Sequence, residues 1–461
     1  MQLLSGGQHV VRAFIGIAVL FCGVVFGLGG CGTVPNELHS VALTPRGTAA
    51  VDTVRSSLPQ ATTVVTTTVN RAGDTAIPTS SSVLTLTMWT TEAFSPLQND
   101  LGSQLLLEQV EKFAAQNSGI AVDFVLKKAY GTGGIHDFLQ TTNAVVPQRL
   151  PDLAIVDVAD LPTLAHEGLF RPLDDLISQD LQADLFPFAR AGCTVDDRLL
   201  GIQFEADLYH LAYDTALLSS PPLTWQQVLS GTATYVFAGG GEDGERVDQS
   251  FWLQYLALGE DNLVAGQNIV LDADRLTDVF DFYRQGNQRQ LIPLTVLDYR
   301  TEADAWAVYL SGKAQLTDVS SLRYLSLRPT LHGTSFTPIP TRDGNLFSLT
   351  KGWALVIVAV DPDRQRAAAQ FIEWLMLPEN NGIWTNATNR LSTTRQAMGT
   401  WDQSDPYVAF AQDLLERAAP YPSGANYEAV ARALQRGLRD VLTRVSSPSD
   451  ATTGVLGALK K

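Results

Sequence analysis

Cysteine and histidine are scarce in this sequence, which limits both disulfide and metal chemistry. The 461 residues include 3 cysteines and 6 histidines. Three cysteines without a Cys-x-x-Cys pair cannot form a disulfide framework. The scattered histidines lack the paired spacing of a zinc site, so no metal is expected. Only Cys193 lies beyond the first 31 residues, and we interpret it as a small buried apolar residue.

Positive charge is also in short supply. Lysine and arginine total 32 against 48 aspartates and glutamates, which gives a formal net charge of −16 at pH 7. A field of this sign repels phosphate backbones, so nucleic acid is a poor partner for the chain as a whole. The chain is 45% hydrophobic and 17% charged. This composition is too apolar for a disordered protein and too mixed for a multispanning membrane protein.

Nucleotide-binding and nucleophile motifs are incomplete. Gly131-Thr132-Gly133-Gly134 follows an apolar run, but His136 stands where a dinucleotide loop needs its last glycine. Gly312-Lys313 lacks the following serine or threonine of a P-loop, and no Gly-x-Ser-x-Gly elbow is present. We therefore expect no cofactor. The 48 acidic residues leave the paired carboxylates of a glycosidase open as an alternative.

The N-terminus reads as a targeting segment. Arg12 is the one charged residue before an apolar stretch from Ala13 to Leu28, which is short for a membrane span. The stretch ends in Leu28-Gly29-Gly30-Cys31, which resembles the lipobox of bacterial lipoproteins. The resemblance implies a signal peptide over 1–30, cleavage, and acylation of Cys31, which would anchor the chain firmly to the outer side of the cell membrane. The alternative is an uncleaved signal anchor.

Residues 31–82 form a segment of different composition. From position 32 onward it is rich in serine, threonine and proline, and it contains no phenylalanine, tryptophan or tyrosine. Without large apolar groups such a segment cannot offset the entropy of ordering. We predict a tether.

The remaining chain alternates between strand and helix patterns. Apolar runs at 83–89, 120–126 and 152–158 predict strands, and the segments between them have helical spacing. This order predicts a parallel sheet with helices on its faces. Further helices are predicted at 250–258, 274–285, 301–311, 363–377 and 425–444, with another buried strand at 352–360. Residues 446–461 are predicted to be a tail.

Eight local strings occur in an order typical of one protein family. They are Met88–Thr90, Pro151–Asp157, Glu167–Asp174, Leu200–Asp214, Pro221–Trp225, Tyr309–Ala314, Lys351–Leu355 and Ala367–Asn380. Together they resemble the extracellular solute-binding proteins of bacterial ABC importers, and most closely the maltose-binding-like group. The chain departs from the family pattern at two places. Lys351 stands where a glycine is usual, and the strand Gln315–Ser321 lacks the tryptophan that often comes just after it in the family.

The resemblance implies an α/β, two-lobe periplasmic-binding-protein-like fold of type II. Each lobe would hold a mixed sheet flanked by helices, and interleaved strands would cross between the lobes. The implied division assigns 83–206 and 354–398 to the N-terminal lobe, and 207–353 and 399–445 to the C-terminal lobe. A solute would bind between the lobes and close them about a hinge. An ABC permease and its ATPase are the implied partners of a monomeric receptor.

Ligand-binding candidates are polar or aromatic residues that follow apolar strands, because crevices form at the carboxyl ends of strands. They are Trp89, Thr90, Glu92, Asp157, Asp160, Glu205, Asp207, Tyr209, Trp252, Asp318, Ser320, Lys351 and Trp353. Carboxylates accept hydrogen bonds from hydroxyls, and tryptophan offers a flat apolar face, so both match a sugar. Each residue could instead be a helix cap or a core residue, and the helical spacing of Trp252 favours the core.

Three functions remain open from the sequence. The first is a lipid-anchored receptor that captures a small polar solute, such as a sugar or oligosaccharide, and performs no covalent chemistry. The second is a surface-anchored polysaccharide hydrolase with paired carboxylates. The third is a solute-sensing lipoprotein without a transport partner. The ordered strings favour the receptor.

Overall fold

The computed structural model describes residues 83–241, 243–259, 263–265 and 267–460. The predicted signal peptide at 1–30, the tether at 31–82 and the acylation site at Cys31 lie outside these ranges. Within them, no helix combines the length and the apolar character that crossing a bilayer requires.

The strands of the described ranges are short except for two. They are β1 Leu84–Thr90, β2 Ile120–Leu126, β3 Leu153–Asp157, β4 Thr194–Val195, β5 Arg198–Leu199, β6 Ile202–Asp214, β7 Tyr235–Val236, β8 Val264–Ala265, β9 Asn268–Ile269, β10 Leu316–Ser320, β11 Thr334–Thr337, β12 Ser348–Ile357 and β13 Ala418–Pro420.

The α-helices of the same ranges include all those predicted from the periodicity. They are α1 Leu101–Gln116, α2 Ile135–Val145, α3 Leu161–His166, α4 Gln179–Asp184, α5 Pro187–Gly192, α6 Trp225–Ser230, α7 Gln249–Leu256, α8 Ala273–Gln288, α9 Glu302–Leu310, α10 Ser321–Leu327, α11 Pro362–Met376, α12 Pro378–Ala387, α13 Arg395–Met398, α14 Pro406–Leu415, α15 Tyr427–Leu442 and α16 Pro448–Ala458.

Polar caps fix where several helices begin. The Asp100 carboxylate accepts from the Ser103 N–H at the start of α1, and Asp361 accepts from two backbone N–H groups of α11. Thr224 and Gln227 form a reciprocal capping box on α6. Such caps satisfy the N–H groups that the first turn of a helix leaves without partners.

One mixed sheet runs through the molecule. Its main order is β2-β1-β3-β12-β6-β10-β7, with β11 added to β6 and β13 added to β12. Strands β1, β2 and β3 are parallel, as the alternation of strands and helices predicts. Strand β12 is antiparallel to both β3 and β6.

The long strands β6 and β12 are shared by two hydrophobic cores, which define two lobes. The first part of β6 pairs with β12, and its last six residues pair with β10 and β11. The Leu208 side chain packs in the first core, whereas Tyr209 and Leu211 pack in the second. The prediction of a two-lobe α/β fold with interleaved crossing strands is therefore confirmed.

Residues 399–418 do not divide cleanly between the lobes, because they share the first core with Trp306, Val319 and Tyr324 of the predicted C-terminal range. Trp401, Tyr407, Leu414 and Ala418 belong to the first core, and the second core resumes at Ala419. Tyr407 of α14 stacks on Tyr324 of α10 with ring centroids 5.2 Å apart. Helical periodicity marks the apolar face of α14, but it cannot say which core that face covers.

The prediction of a tail at 446–461 is wrong, because Pro448–Ala458 form helix α16. Ser447 caps its N-terminus, and the side chains of Ala451, Thr452 and Val455 are buried. The helix packs on α8 and α15, where a Cβ added to Gly437 would lie 2.9 Å from a Val455 methyl group. The buried face is narrow and interrupted by glycine, so its sequence pattern is weak.

Candidate functional site

A cleft opens where the two lobes meet, and its larger part is a cavity of about 500 Å³. Tyr130, Asp157 and Asp160 line it from the first lobe, whereas Tyr421 and Glu428 are among the residues that face it from the second. Polar and aromatic side chains therefore meet across the seam between the lobes.

The smaller part of the cleft is a cavity of about 230 Å³. It shares Lys351 and Tyr421 with the larger cavity. Its other charged lining residues are Asp248, Glu302, Arg300 and Arg323, and Tyr209 adds an aromatic ring.

Lys351 occupies the junction of the two cavities because of its place on β12. The neighbouring Thr350 and Gly352 are buried, and the alternation of the strand turns Lys351 outward. Its Nζ lies 4.9 Å from the ring centroid of Tyr421 and 5.7 Å from that of Tyr209. Such distances allow cation–π attraction, which holds the ammonium group between the two rings.

The wall of the first lobe orients its carboxylates with local partners. Asp157 accepts hydrogen bonds from the Tyr130 hydroxyl and from the Ala159 N–H, both at 2.9 Å. Burial raises the pKa of Asp157 above its usual value. Asp160 pairs with His136 at 3.1 Å, and this hydrogen bond raises the pKa of the imidazole. The Tyr130 ring leans on Trp353 at a centroid distance of 5.5 Å.

The wall of the second lobe is aromatic. The hydroxyls of Tyr421 and Tyr427 lie 3.3 Å apart, and Trp252 stacks behind Tyr427 with centroids 6.2 Å apart. Glu428 accepts from the Arg246 guanidinium at 2.7 Å. Rings and charged groups on this wall thus support each other within one lobe.

Three buried carboxyls lie at or behind the cleft. Glu205 accepts from the Trp353 N–H and from Arg390, each at 3.1 Å, and burial raises its pKa to about 7 although Arg390 acts in the opposite direction. Burial also raises the pKa of Asp318 to about 7 and that of Asp248 to about 8. The Tyr235 hydroxyl donates to Asp318 at 2.6 Å.

Four of the predicted ligand-binding residues line the cleft, namely Asp157, Asp160, Tyr209 and Lys351. Trp353 is only 9% exposed and supports Tyr130 from behind. Trp252 is fully buried in the second core, as its helical spacing indicates.

The other candidates have structural partners and do not line either cavity. Asp207 accepts from the Ser321 hydroxyl and the Leu322 N–H, both at 2.8 Å, and so ties β6 to α10. Ser320 caps α10, and the Thr90 hydroxyl donates to the Phe94 carbonyl.

Four further candidates also lie away from the cleft lining. Trp89 packs edge-on against Phe138 beneath Lys127. Glu92 lies exposed in a short 3-10 turn. Glu205 and Asp318 are buried behind the cleft with the partners given above.

Several cleft residues escaped the sequence analysis because they lie in loops or beside very short strands. Tyr130 follows β2 by four residues, and Tyr421 directly follows the three-residue strand β13. Arg246, Asp248, Arg300 and Glu428 carry no local pattern that marks them. Cys193 is fully buried, and burial raises the pKa of its thiol to about 12. The described residues contain no group of three or more potential metal ligands.

Comparison with known proteins identifies the family. Residues 108–410 match the model of the bacterial extracellular solute-binding protein family. The chain belongs to this family. It is therefore a binding protein and not an enzyme, as the sequence analysis predicts. A search of curated proteins finds no matching sequence.

Solved structures with the same fold include sugar-binding proteins of several bacteria. Maltose-bound T. maritima MalE3 has 20% identity and a TM-score of 0.61, covering 82% of this chain and 99% of that chain. The cyclic alpha-maltosyl-1,6-maltose binding protein of Arthrobacter globiformis has 17% identity and a TM-score of 0.65, with coverages of 82% and 98%. MalE of Xanthomonas citri has 20% identity and a TM-score of 0.63, with coverages of 80% and 95%. At these identities the likeness concerns the fold.

Proposed function

We propose that this protein is the lipid-anchored substrate-binding receptor of an ABC importer for a sugar or oligosaccharide. The receptor captures the solute between its lobes and delivers it to a membrane permease that works with a separate ATPase. Family membership supports the extracellular role. The Leu28–Cys31 string supports the lipid anchor, with the tether at 31–82 giving the monomeric body reach from the membrane.

The observation that carries the sugar assignment is the make-up of the cleft. Tyr130 on one wall and Tyr421 and Tyr427 on the other present aromatic faces, while Asp157 and Asp160 present acceptors for hydroxyl groups. A sugar ring has apolar C–H faces and hydroxyl edges, so it matches both features. The maltose-family ligands named for the matching structures support the same solute class.

Closure about a hinge is compatible with the way the cleft is built. The ion pairs Asp160–His136 and Glu428–Arg246 each form within one lobe. Strands β6 and β12 connect the lobes through backbone pairing near the base of the cleft. The walls can therefore approach each other by small backbone rotations without breaking these pairs.

A thermal-unfolding panel tests this function. Maltose, maltotriose and other oligosaccharides are added to the full-length chain in a mild detergent, with mannitol as an osmotically matched control. A ligand at a hundredfold excess over its Kd stabilises the folded state by about 2.7 kcal/mol. We expect an upward shift of the unfolding temperature with at least one sugar and none with mannitol. A complete lack of stabilisation by sugars of every kind would contradict the proposal.

A further inference from the structure

The smaller cavity of the cleft has an excess of basic side chains. Lys351, Arg300 and Arg323 contribute three positive charges to its lining, against two acidic residues, Asp248 and Glu302. This balance is unusual in a chain whose formal net charge is −16.

The pairing of these groups leaves the positive charge available. Arg323 is engaged by Glu302, whose carboxylate accepts from the guanidinium at 2.8 Å. Lys351 and Arg300 make no ion pair with any residue in the described part of the chain, and both are exposed. These two cations therefore have no carboxylate within ion-pair distance, and Asp157 and Asp248 act on Lys351, and Asp304 on Arg300, only at longer range.

The remaining acid does not cancel this charge at neutral pH. Asp248 is buried at the N-cap of α7, where it accepts from the Ser250 N–H at 3.2 Å. Burial raises its pKa to about 8, so the carboxyl is mostly protonated at pH 7.

The larger cavity has the opposite balance. Three acidic residues, Asp157, Asp160 and Glu428, line it together with Arg246 and the shared Lys351. The Tyr130 hydroxyl donates a hydrogen bond to Asp157 at 2.9 Å. The cleft is thus polarised along its length, with Lys351 at the boundary.

We propose, resting on the sugar-receptor function above, that the solute carries an anionic substituent and that the smaller cavity binds it through Lys351 and Arg300. The substituent is a carboxylate, a sulfate or a phosphate monoester. A guanidinium binds such groups with paired hydrogen bonds, and the lysine ammonium adds a point charge. The neutral rings of the solute occupy the larger cavity against Tyr130 and Tyr427.

The sizes of the cavities fit this division. Pockets that hold a whole small ligand usually begin at about 300 Å³. The smaller cavity, at about 230 Å³, suits one unit or substituent of a larger solute, and the larger cavity, at about 500 Å³, has room for further sugar units.

Titration calorimetry on the full-length chain in detergent at pH 7 and low salt tests the inference with matched pairs. One arm compares trigalacturonic acid with its methyl ester, which has the same rings without the charge. The other arm compares a maltotriose monosulfate or monophosphate with maltotriose. We expect the anionic member of at least one pair to bind about tenfold tighter. Added salt should reduce the preference, because it screens exposed charges.

Variants distinguish this site from nonspecific attraction. Lys351→Met should lower the affinity for the anionic member more than that for its neutral partner, and so remove most of the preference for the anion. Lys313→Met is the matched control, since Lys313 is an exposed lysine in the turn before β10, at the end of that strand away from the cleft. It should change neither affinity.

Three results would overturn the inference. Equal or tighter binding of the neutral member in both arms would refute it while leaving the sugar-receptor function intact. An anion preference that survives both Lys351→Met and Arg300→Met would place the anion elsewhere. Binding of no sugar, charged or neutral, would refute the proposed function itself.

Discussion

Three buried carboxyls at or behind the cleft, one in the first lobe and two in the second, have different partners. In the first lobe, Glu205 has a guanidinium partner, Arg390, and a backbone donor on β12. In the second lobe, Asp318 receives a hydroxyl hydrogen bond from Tyr235, and Asp248 receives a backbone hydrogen bond in capping α7. Neither of these aspartates has an ion-pair partner in the described part of the chain.

The difference teaches how the polarity of the cleft arises. A guanidinium favours the ionised form of the buried Glu205, whereas the neutral donors of the second lobe give weaker support to an ionised aspartate. Burial therefore keeps Asp248 largely protonated at neutral pH, with a pKa of about 8. Asp248 therefore does not neutralise Lys351 and Arg300, which line the smaller cavity.

Replacing Glu205, the buried acid of the first lobe, should have the largest effect on the free energy of unfolding. Glu205→Ala leaves Arg390 without its carboxylate and the Trp353 N–H without an acceptor. Breaking a buried ion pair in this way costs about 3 kcal/mol of unfolding free energy. Urea denaturation at pH 7.5 measures it.

Glu416→Ala provides the matched control for this variant. Glu416 pairs with Arg395 on the surface, where both side chains are about two-fifths exposed. Its loss should cost less than about 1 kcal/mol. Equal effects of the two variants would contradict the view that burial distinguishes Glu205.

Asp248 of the second lobe should make the free energy of unfolding depend on pH. The native pKa of Asp248 is about 8, well above its ordinary 3.8. Between about pH 4 and pH 8, the folded chain therefore holds a proton that the unfolded chain has already released. This contribution to stability is complete below that window and is lost as the pH rises through it.

Asp248→Asn removes this dependence and keeps a side chain that can cap α7. We expect the unfolding free energy of the unmodified chain to fall relative to the variant by about 1.4 kcal/mol per pH unit at most. Urea denaturation at pH 5, 6 and 7.5 measures the slope. Asp361→Asn, which makes the same change at the exposed cap of α11, is the matched control variant. A variant that follows the unmodified chain at all three pH values would contradict the assignment.

Aromatic substitutions on the two walls should have smaller effects, and these effects should be on ligand affinity. Tyr421 lines both cavities, whereas Tyr130 lines only the larger one. Tyr421→Ala should lower the affinity for the sugar identified in the thermal panel about tenfold, and Tyr130→Ala should lower it about threefold. Calorimetric titration of both variants gives the comparison. The reverse order of effects would make the first lobe the main binding wall.

Much of the fold could be predicted because buried strands appear in sequence as apolar runs. The runs around Leu86, Ile155 and Leu355 became neighbouring strands of one sheet. Helix α16 could not be predicted, because Gly454 and Gly457 weaken its propensity and only three of its side chains are buried. Its stability comes from packing against α8 and α15, which local sequence does not report.

The cleft could be predicted only where its residues follow or lie on strands. Asp157 ends β3 and Lys351 lies on β12, so strand geometry brings both to the seam. Glu205 and Asp207 lie on β6 as well, but their partners Arg390 and Ser321 are more than a hundred residues away in sequence. Local patterns cannot show that such a carboxyl is already engaged.

Strand β6 has a consequence for the way the molecule melts. Its 13 residues contribute side chains to both cores without a break. If either core unfolded, part of β6 would lose its paired strands. Apolar side chains of β6 that pack in the remaining core would then become exposed. The two halves are therefore coupled into a single cooperative unit, and heat should disassemble them together rather than one after the other.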